Sequence, residues 1–210
     1  MISDKPVPVE IVPGLRIFKG FFGAKEQEIL AEIVRDIARE APLFTPQMPR
    51  TGKPLSVRMT NCGKLGWLTD KNQGYRYQGH HPKTGKPWPE IPKMLNDLWA
   101  EVAGFPQEPE ACLVNYYDAN AKMGLHQDSD EKNFEAPVVS VSLGDACLFR
   151  IGGTVRKGTT KSFKLESGDV LVMGGDARLR FHGVDRIYPG TSDLLKKNGR
   201  INLTLRRVNG

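Results

Sequence analysis

Cysteine is scarce in this chain, which has only three in 210 residues: Cys62, Cys112 and Cys147. They are widely spaced and odd in number, so they form neither the CxxC pairs of a zinc site nor the framework of a disulfide-rich domain. We therefore expect three buried free thiols.

Long apolar runs are also missing. No stretch approaches the roughly 20 residues that cross a bilayer, and the start, MISDKPVPVEIVPG, lacks the basic-then-apolar pattern of a secretory signal. With 39% hydrophobic and 26% charged residues, the composition is typical of a globular protein. We expect one large cytoplasmic domain without a membrane partner, and no obvious stripe for a dimer, hence a monomer.

Acidic residues are outnumbered: 24 Asp and Glu face 30 Lys and Arg, giving a net charge of +6. An excess of positive charge suits a polyanionic partner such as nucleic acid. Charge alone does not decide the matter, because many basic proteins bind no nucleic acid.

Helix patterns are confined to the first half. AKEQEILAEIVRDIARE (24–40) has Ile29, Leu30, Ile33 and Ile37 at three- and four-residue spacings, which predicts an amphipathic helix. IPKMLNDLWAEVAGF (91–105) predicts a second helix with Pro92 near its first turn. Four prolines in 41–56 argue against regular structure there. After residue 110, short apolar runs follow one another without helices between them, which predicts an antiparallel double sheet. The fold class is therefore α+β with a mainly β core, a jelly roll or a barrel.

The last of these runs, RINLTLR (200–206), alternates strictly between polar and apolar residues. In a strand, Arg200, Asn202, Thr204 and Arg206 share one face. That face lies in water if the strand is an ordinary half-exposed edge, or lines the mouth of the barrel if the strand is central. In the second case Arg206 is suited to a bidentate pair with a ligand carboxylate.

Only four histidines are present. His80 and His81 lie in a turn-rich segment and are expected to be exposed. His126 and Asp128 share a face if their segment is extended, and His182 lies in a distant strand pattern. Two histidines and one carboxylate form the facial triad that holds Fe(II) and leaves positions open for a chelating cosubstrate and dioxygen.

The segment GLHQDSDEK (124–132) is also compatible with a simple solvated acidic turn.

Two other kinds of metal site are excluded by the sequence. An EF-hand starting at Asp128 does not fit, since Lys132, Asn133 and Val139 occupy positions that need calcium ligands or glycine. The HExxH pattern of zinc hydrolases is absent.

With these residues in view, the chain resembles the AlkB family of Fe(II)/2-oxoglutarate-dependent nucleic-acid dealkylases, bacterial DNA-repair type. The resemblance rests on these matching stretches: MTNCGKLGW (59–67), QGYRY (73–77), KPWP (86–89), ACLVNYY (111–117), LHQDSDE (125–131), PVVSVSLG (137–144), HG (182–183) and RINLTLR (200–206). It implies a double-stranded β-helix in a single dioxygenase domain over 1–210. The implied parts are an N-terminal extension and helix (about 1–44), a nucleotide-recognition lid (about 45–90), and a helix with the catalytic jelly roll (about 91–210).

The resemblance also implies a set of site residues. The iron ligands, and thus the catalytic set, would be His126, Asp128 and His182. The 2-oxoglutarate site would comprise Asn115, Tyr117, Arg200, Asn202 and Arg206, with Arg200 on the distal carboxylate and Arg206 near the keto-acid end. Implied substrate contacts are Trp67, Tyr75, Tyr77, Met59, Thr51, Asp130, Glu131 and Arg156, of which Trp67 would stack on the damaged base opposite His126.

The implied reaction is oxidative demethylation of bases such as 1-methyladenine and 3-methylcytosine in DNA, with RNA left open, using Fe(II), 2-oxoglutarate and O2. A related oxygenase acting on a protein or small molecule is the alternative, and a non-catalytic nucleic-acid binding module is a third hypothesis. Candidates for phosphate contacts are Arg50, Lys53, Lys64, Lys71, Arg76, Lys132 and Lys157. The chain departs from the family pattern in a longer 67–75 segment and in the loop 188–199.

Overall fold

The computed structural model describes residues 5–210, and residues 1–4 of the predicted N-terminal extension lie outside this range. Strands β1 (Val9–Val12) and β2 (Leu15–Phe18) precede helix α1 (Ala24–Glu40). Strands β3 (Arg58–Gly63), β4 (Gly66–Asp70) and β5 (Gly74–Gln78) precede helix α2 (Lys93–Val102). The remaining strands are β6 (Ala111–Tyr117), β7 (Met123–His126), β8 (Val138–Gly144), β9 (Ala146–Ile151), β10 (Lys161–Leu165), β11 (Val170–Met173), β12 (His182–Tyr188) and β13 (Arg200–Arg206).

These strands form two antiparallel sheets and a hairpin. The large sheet has the order β1-β2-β11-β8-β13-β6-β3, the small sheet has the order β10-β9-β12-β7, and β4 pairs with β5. One apolar cluster, which includes Ile17, Phe149 and Leu171, lies between the sheets. This double-sheet arrangement is a jelly roll.

Helices α1 and α2 cover the other face of the large sheet. Leu30 and Val34 of α1 and Trp99 of α2 pack against sheet residues such as Val141 and Leu203. Because the central strands of this sheet are buried on both faces, PVVSVSLG is an almost continuous apolar run. Cys62, Cys112 and Cys147 are free and buried, as expected.

Each helix begins beside a residue that favours a helix start, Glu26 in α1 and Pro92 before α2. The Glu26 carboxylate accepts a hydrogen bond from the Gly23 amide at 2.8 Å, satisfying one unpaired donor at the start of α1. Pro92 immediately precedes α2, which is shorter than the predicted 91–105.

In α1 the predicted apolar stripe is wrong at Ile29, which is 51% exposed, because the buried face is shifted toward Ala31 and Val34.

One open alternative is decided here and one expectation is corrected. Strand β13 lies between β8 and β6, so of the two alternatives it is the central strand and not an edge. His81 is only 1% exposed, and its Nε2 lies 2.8 Å from the Pro42 carbonyl oxygen, so the turn-rich segment folds its second histidine inward. Within residues 5–210, no helix combines the length and apolar composition needed to cross a membrane.

Candidate active site

The two strand-borne histidines are brought face to face by sheet pairing. Strand β7 ends at His126 and β12 begins at His182, and the two residues are direct antiparallel partners. Asp128 follows two residues after His126. Each histidine Nε2 lies 3.6 Å from a different oxygen of the Asp128 carboxylate. One ligand atom from each of the three residues lies within 4.8 Å of the others, close enough for a single ion.

Backbone contacts set the orientation of both imidazoles. His126 Nδ1 lies 2.9 Å from the Gly124 carbonyl oxygen, and His182 Nδ1 lies 3.0 Å from that of Arg180. A carbonyl oxygen only accepts, so Nδ1 carries the proton in each ring and Nε2 keeps a free lone pair. Metal-binding histidines commonly have this outer hydrogen bond.

The electrostatics favour the protonation states that a divalent metal requires. Burial, reinforced by the nearby His126, lowers the pKa of His182 to about 4, so its ring is neutral at pH 7. Burial acts to raise the pKa of Asp128, but the Arg206 guanidinium and the two histidines outweigh it and lower that pKa below its ordinary value. Two imidazoles and one carboxylate match the ligands of non-haem Fe(II).

The polar face of β13 lines the same cavity. Arg200, Asn202, Thr204 and Arg206 all face it, together with Asn115 and Tyr117 of the neighbouring strand β6. Phe149, Leu171 and Met173 supply part of its apolar wall. The cavity therefore combines cationic, amide and apolar surfaces beside the triad.

Arg200 is the deepest cation of this wall and is 1% exposed. Its Nη2 donates to the Ser142 hydroxyl at 2.9 Å, and its guanidinium lies 5.3 Å from the centre of the Tyr117 ring. Its Nε and Nη1, and also Nε of Arg206, are buried without a hydrogen-bond partner within the described chain. Unpaired buried donors are costly, and an anionic ligand with several oxygens, such as 2-oxoglutarate, would satisfy them.

Asn202 also faces the cavity, but its amide is already engaged. Its Nδ2 donates to the Ser140 hydroxyl at 2.6 Å and to the Val141 carbonyl at 3.1 Å, while its Oδ1 accepts from Thr204. Sequence reasoning missed Ser140 and Ser142, although both serines interrupt an apolar strand at alternate positions.

The aromatic residues of the predicted lid lie on the β4–β5 hairpin, where Trp67 and Tyr77 are direct partners. Trp67 Nε1 donates to Asp130 Oδ2 at 2.7 Å, which links the hairpin to the segment carrying Asp128. The Trp67 and Tyr75 rings are stacked with centroids 5.8 Å apart, and Tyr75 is 50% exposed. Asn61 of β3, missed in the sequence, holds Trp67 by hydrogen bonds to its backbone N–H and C=O.

Two predicted substrate contacts are not available to a base in this structure. The Glu131 side chain has no exposed surface, because both its oxygens are engaged by the buried Arg178 and Arg206. Met59 is 1% exposed and packs in the cluster beneath the hairpin, which contains Phe44 and Leu68.

The remaining predicted contacts are peripheral. Thr51 is exposed, and its hydroxyl accepts from the Lys53 amide at 3.3 Å. Arg156 is exposed with its guanidinium 5.2 Å from the centre of the Phe181 ring. Most of the predicted phosphate contacts are exposed, but Arg76 is half-buried and paired with Asp70 at 2.7 Å, so it is less available than the lysines.

Comparison with known proteins identifies the family to which this chain belongs. The model of the 2OG-Fe(II) oxygenase superfamily matches residues 14–206. The chain is 50% identical over 201 residues to an alpha-ketoglutarate-dependent dioxygenase AlkB homolog of Caulobacter vibrioides, covering 96% of this chain and 90% of the relative. It is 42% identical over 209 residues to alpha-ketoglutarate-dependent dioxygenase AlkB of Escherichia coli, covering 97% and 94%. The chain belongs to the AlkB family of 2OG-Fe(II) oxygenases.

A solved relative supports the same conclusion for the fold. The structure of OsALKBH1 superposes with a TM-score of 0.81 at 32% identity, covering 96% of this chain and all of that one. The predicted jelly roll is confirmed. As an AlkB-family member, the chain is a dioxygenase that uses Fe(II), 2-oxoglutarate and O2. The roles of the individual site residues stay predictions.

Proposed function

We propose that this AlkB-family enzyme demethylates alkylated bases such as 1-methyladenine and 3-methylcytosine in DNA. The observation that carries the proposal is the hydrogen bond between Trp67 and Asp130. Asp130 lies two residues after the Asp128 of the His-Asp-His cluster, so this bond joins the Trp67 ring to the segment that carries the cluster. An oxygenase for small molecules has no need of such a base-sized aromatic cover.

In this proposal His126, Asp128 and His182 hold the iron, and the arginine face of β13 holds 2-oxoglutarate. The metal, cosubstrate and O2 supply the oxidising power, and the protein supplies orientation and a dry pocket. The methyl group is hydroxylated and leaves the ring nitrogen as formaldehyde, while 2-oxoglutarate becomes succinate and CO2. The restored base keeps its ring and sugar bond, so the repair is a direct reversal.

Charge explains how methylated bases would be selected. Bases methylated at these ring nitrogens are cationic, and a cation over the face of a Trp ring gains roughly 0.5–2 kcal/mol. Asp130 is exposed beside that ring and adds a negative charge. Methylation also blocks pairing, so less energy is needed to extrude the damaged base.

The phosphate backbone would be bound by exposed cations of the predicted lid and its surroundings. Arg50, Lys53, Lys64 and Lys71 are exposed, as are Lys132 and Lys157. No salt bridge joins any of these six to an acid within residues 5–210. Phosphates therefore meet positive charges that are not already neutralised.

The proposal includes a cytoplasmic monomer. All the residues of the triad and the cationic cavity wall come from one chain, so a second copy is not required to complete the site. Three buried free thiols are compatible with a reducing compartment.

The decisive assay measures formaldehyde from oligonucleotides that carry one 1-methyladenine or 3-methylcytosine, as DNA and as RNA. Iron and 2-oxoglutarate are left out in turn, and an unmethylated oligonucleotide serves as the control. We expect release only in the complete mixture. Consumption of 2-oxoglutarate without formaldehyde from any methylated strand would favour a protein or small-molecule substrate instead.

A further inference from the structure

A buried cluster of charged side chains lies beneath the β4–β5 hairpin, with Glu131 at its centre. One carboxylate oxygen of Glu131 accepts from Arg206 Nη1 at 2.8 Å and from the hydroxyl of Tyr77. The other accepts from Arg178 Nη2 at 3.1 Å. A carboxylate with no exposed surface therefore joins two guanidinium groups and a tyrosine.

Arg178 fixes the backbone on both sides of Glu131. Its Nη1 donates to the Asp128 carbonyl at 2.7 Å and its Nε to the Ala136 carbonyl at 3.0 Å. The segment that carries the Asp128 carboxylate is thereby held at two points, and Glu131 lies between them. Arg178 is 2% exposed, so water does not compete for these bonds.

Arg206 is held from several sides. Its Nη2 pairs with Asp128 Oδ1 at 2.7 Å, while its Nη1 donates to Glu131 and, at 3.1 Å, to the Tyr77 hydroxyl. Its Nε has no partner within the described chain and is free for a ligand. A planar guanidinium with both terminal nitrogens fixed can point its Nε–H in only one direction.

We propose that Glu131 and Tyr77 are positioning residues that aim Arg206 at the cosubstrate carboxylate and tie strand β5 to the same arginine. This inference rests on the proposed role of Arg206 in binding 2-oxoglutarate. It replaces the base contact predicted for Glu131.

The link to β5 has a consequence for Trp67. Tyr77 is the direct strand partner of Trp67, so the bond that holds Tyr77 also anchors the hairpin that carries the stacking ring. A ligand that orders Arg206 should therefore slow the opening of the hairpin. Because such coupling is reciprocal, loosening the hairpin should weaken the binding of the ligand.

Tyr77→Phe is the sharpest variant, since it removes one hydroxyl and keeps the ring that packs under the hairpin. Tyr188→Phe is the matched control, because Tyr188 lies on β12 outside the hairpin and its hydroxyl donates no hydrogen bond within residues 5–210. Calorimetric titration of 2-oxoglutarate, with Mn²⁺ in place of iron, gives the dissociation constant. Hydrogen exchange of residues 66–78, with and without 2-oxoglutarate, reports on the hairpin.

We expect wild type and Tyr188→Phe to show slower exchange in 66–78 when 2-oxoglutarate is added. Tyr77→Phe should bind 2-oxoglutarate up to about tenfold more weakly, which is less than the direct loss of a hydrogen bond to a charged group because Tyr77 acts through Arg206. It should also lose the ligand-dependent slowing. Glu131→Gln should show both effects more strongly.

The proposal is overturned if Tyr77→Phe matches wild type in both measurements, or if it lowers only thermal stability, as a purely structural residue would. Neither readout requires nucleic acid. A wild-type protein that shows the linkage but releases no formaldehyde would refute the demethylase function and leave the positioning role standing.

Discussion

At the scale of single residues, Arg200 shows most clearly that the site is built to receive an anion. A buried guanidinium with two unpaired nitrogens destabilises the ligand-free protein, and an anionic ligand offsets that cost. Asp128 of the triad is paired within the protein, whereas Arg200 of the cavity wall is left partly unpaired. Of these two, only Arg200 therefore lowers the stability of the ligand-free protein.

Arg200→Met should separate stability from binding. We expect the ligand-free variant to stay within about 1 kcal/mol of wild type in its free energy of unfolding, or to exceed it, because an unsatisfied polar group is removed. The rise in melting temperature that 2-oxoglutarate gives with Mn²⁺ should disappear. Arg35→Met, on the surface of α1, is the control that keeps this rise. An unchanged rise in Arg200→Met would remove Arg200 from the cosubstrate site.

Trp67→Ala should reduce the preference for methylated over plain oligonucleotide. Loss of a cation–π contact of roughly 0.5–2 kcal/mol corresponds to about 2- to 30-fold in that preference. The measurement is a pair of dissociation constants, with Mn²⁺ present to prevent turnover. Trp67→Phe should retain part of the preference, and an unaltered ratio in Trp67→Ala would exclude stacking by this ring.

At the scale of elements, the sequence predicted what depends on local spacing. The period of α1 was sufficient to place a helix, and the alternation of RINLTLR was sufficient to place its four polar residues on one face. The burial of Ile29 was predicted wrongly because tertiary packing selects which side of an amphipathic helix is covered. Whether β13 is central or at an edge depends on pairing with β8 and β6, and no pattern within seven residues contains that information.

The candidate site was also predictable only in part, where local chemistry or family resemblance identified its residues. His126, Asp128 and His182 could be grouped by chemistry and family resemblance. The inward position of Glu131 and the role of Arg178 depend on which long-range cations reach the 126–136 segment, so sequence reasoning placed Glu131 at the base. Asn61 was hidden because an asparagine inside a strand gives no signal of the backbone that it will bind.

The C-terminal end of β13 is held by Glu110 at the start of β6. Its Oε2 accepts from the amides of Val208 and Asn209 at 3.0 and 2.7 Å. Burial acts to raise the pKa of Glu110, but the bonds from Asn209 and Val208 and the charge of Arg207 outweigh it, so the pKa is lowered in the folded protein.

A lowered folded-state pKa stabilises the protein above the unfolded value near 4.5, and this contribution is lost as the pH falls through the folded value. The difference in melting temperature between wild type and Glu110→Gln should therefore be positive at pH 7 and shrink below about pH 4.5. Thermal melts from pH 7 to pH 3 measure it. A difference independent of pH would mean that the carboxylate charge is irrelevant to this end of the sheet.

At the scale of the whole molecule, the net charge of +6 should appear in the salt dependence of nucleic-acid binding. Replacing Lys53 and Lys71 with serine should reduce the slope of log K against log salt by about 1.4 for a single strand, or 0.7 for each lost phosphate contact. Lys93→Ser is the control, because Lys93 is paired with Asp97 on α2. An unchanged slope in the double variant would place the phosphates elsewhere.

The central claim is that three side chains from two neighbouring segments hold one metal ion. It is tested most directly by anomalous diffraction from crystals grown with Mn²⁺ and 2-oxoglutarate. We predict one strong peak about 2.2 Å from Nε2 of His126, Nε2 of His182 and an oxygen of Asp128, typical bond lengths for such ligands. The peak should be missing in Asp128→Asn. A peak bonded to other residues, or none in the wild-type protein, would contradict the account.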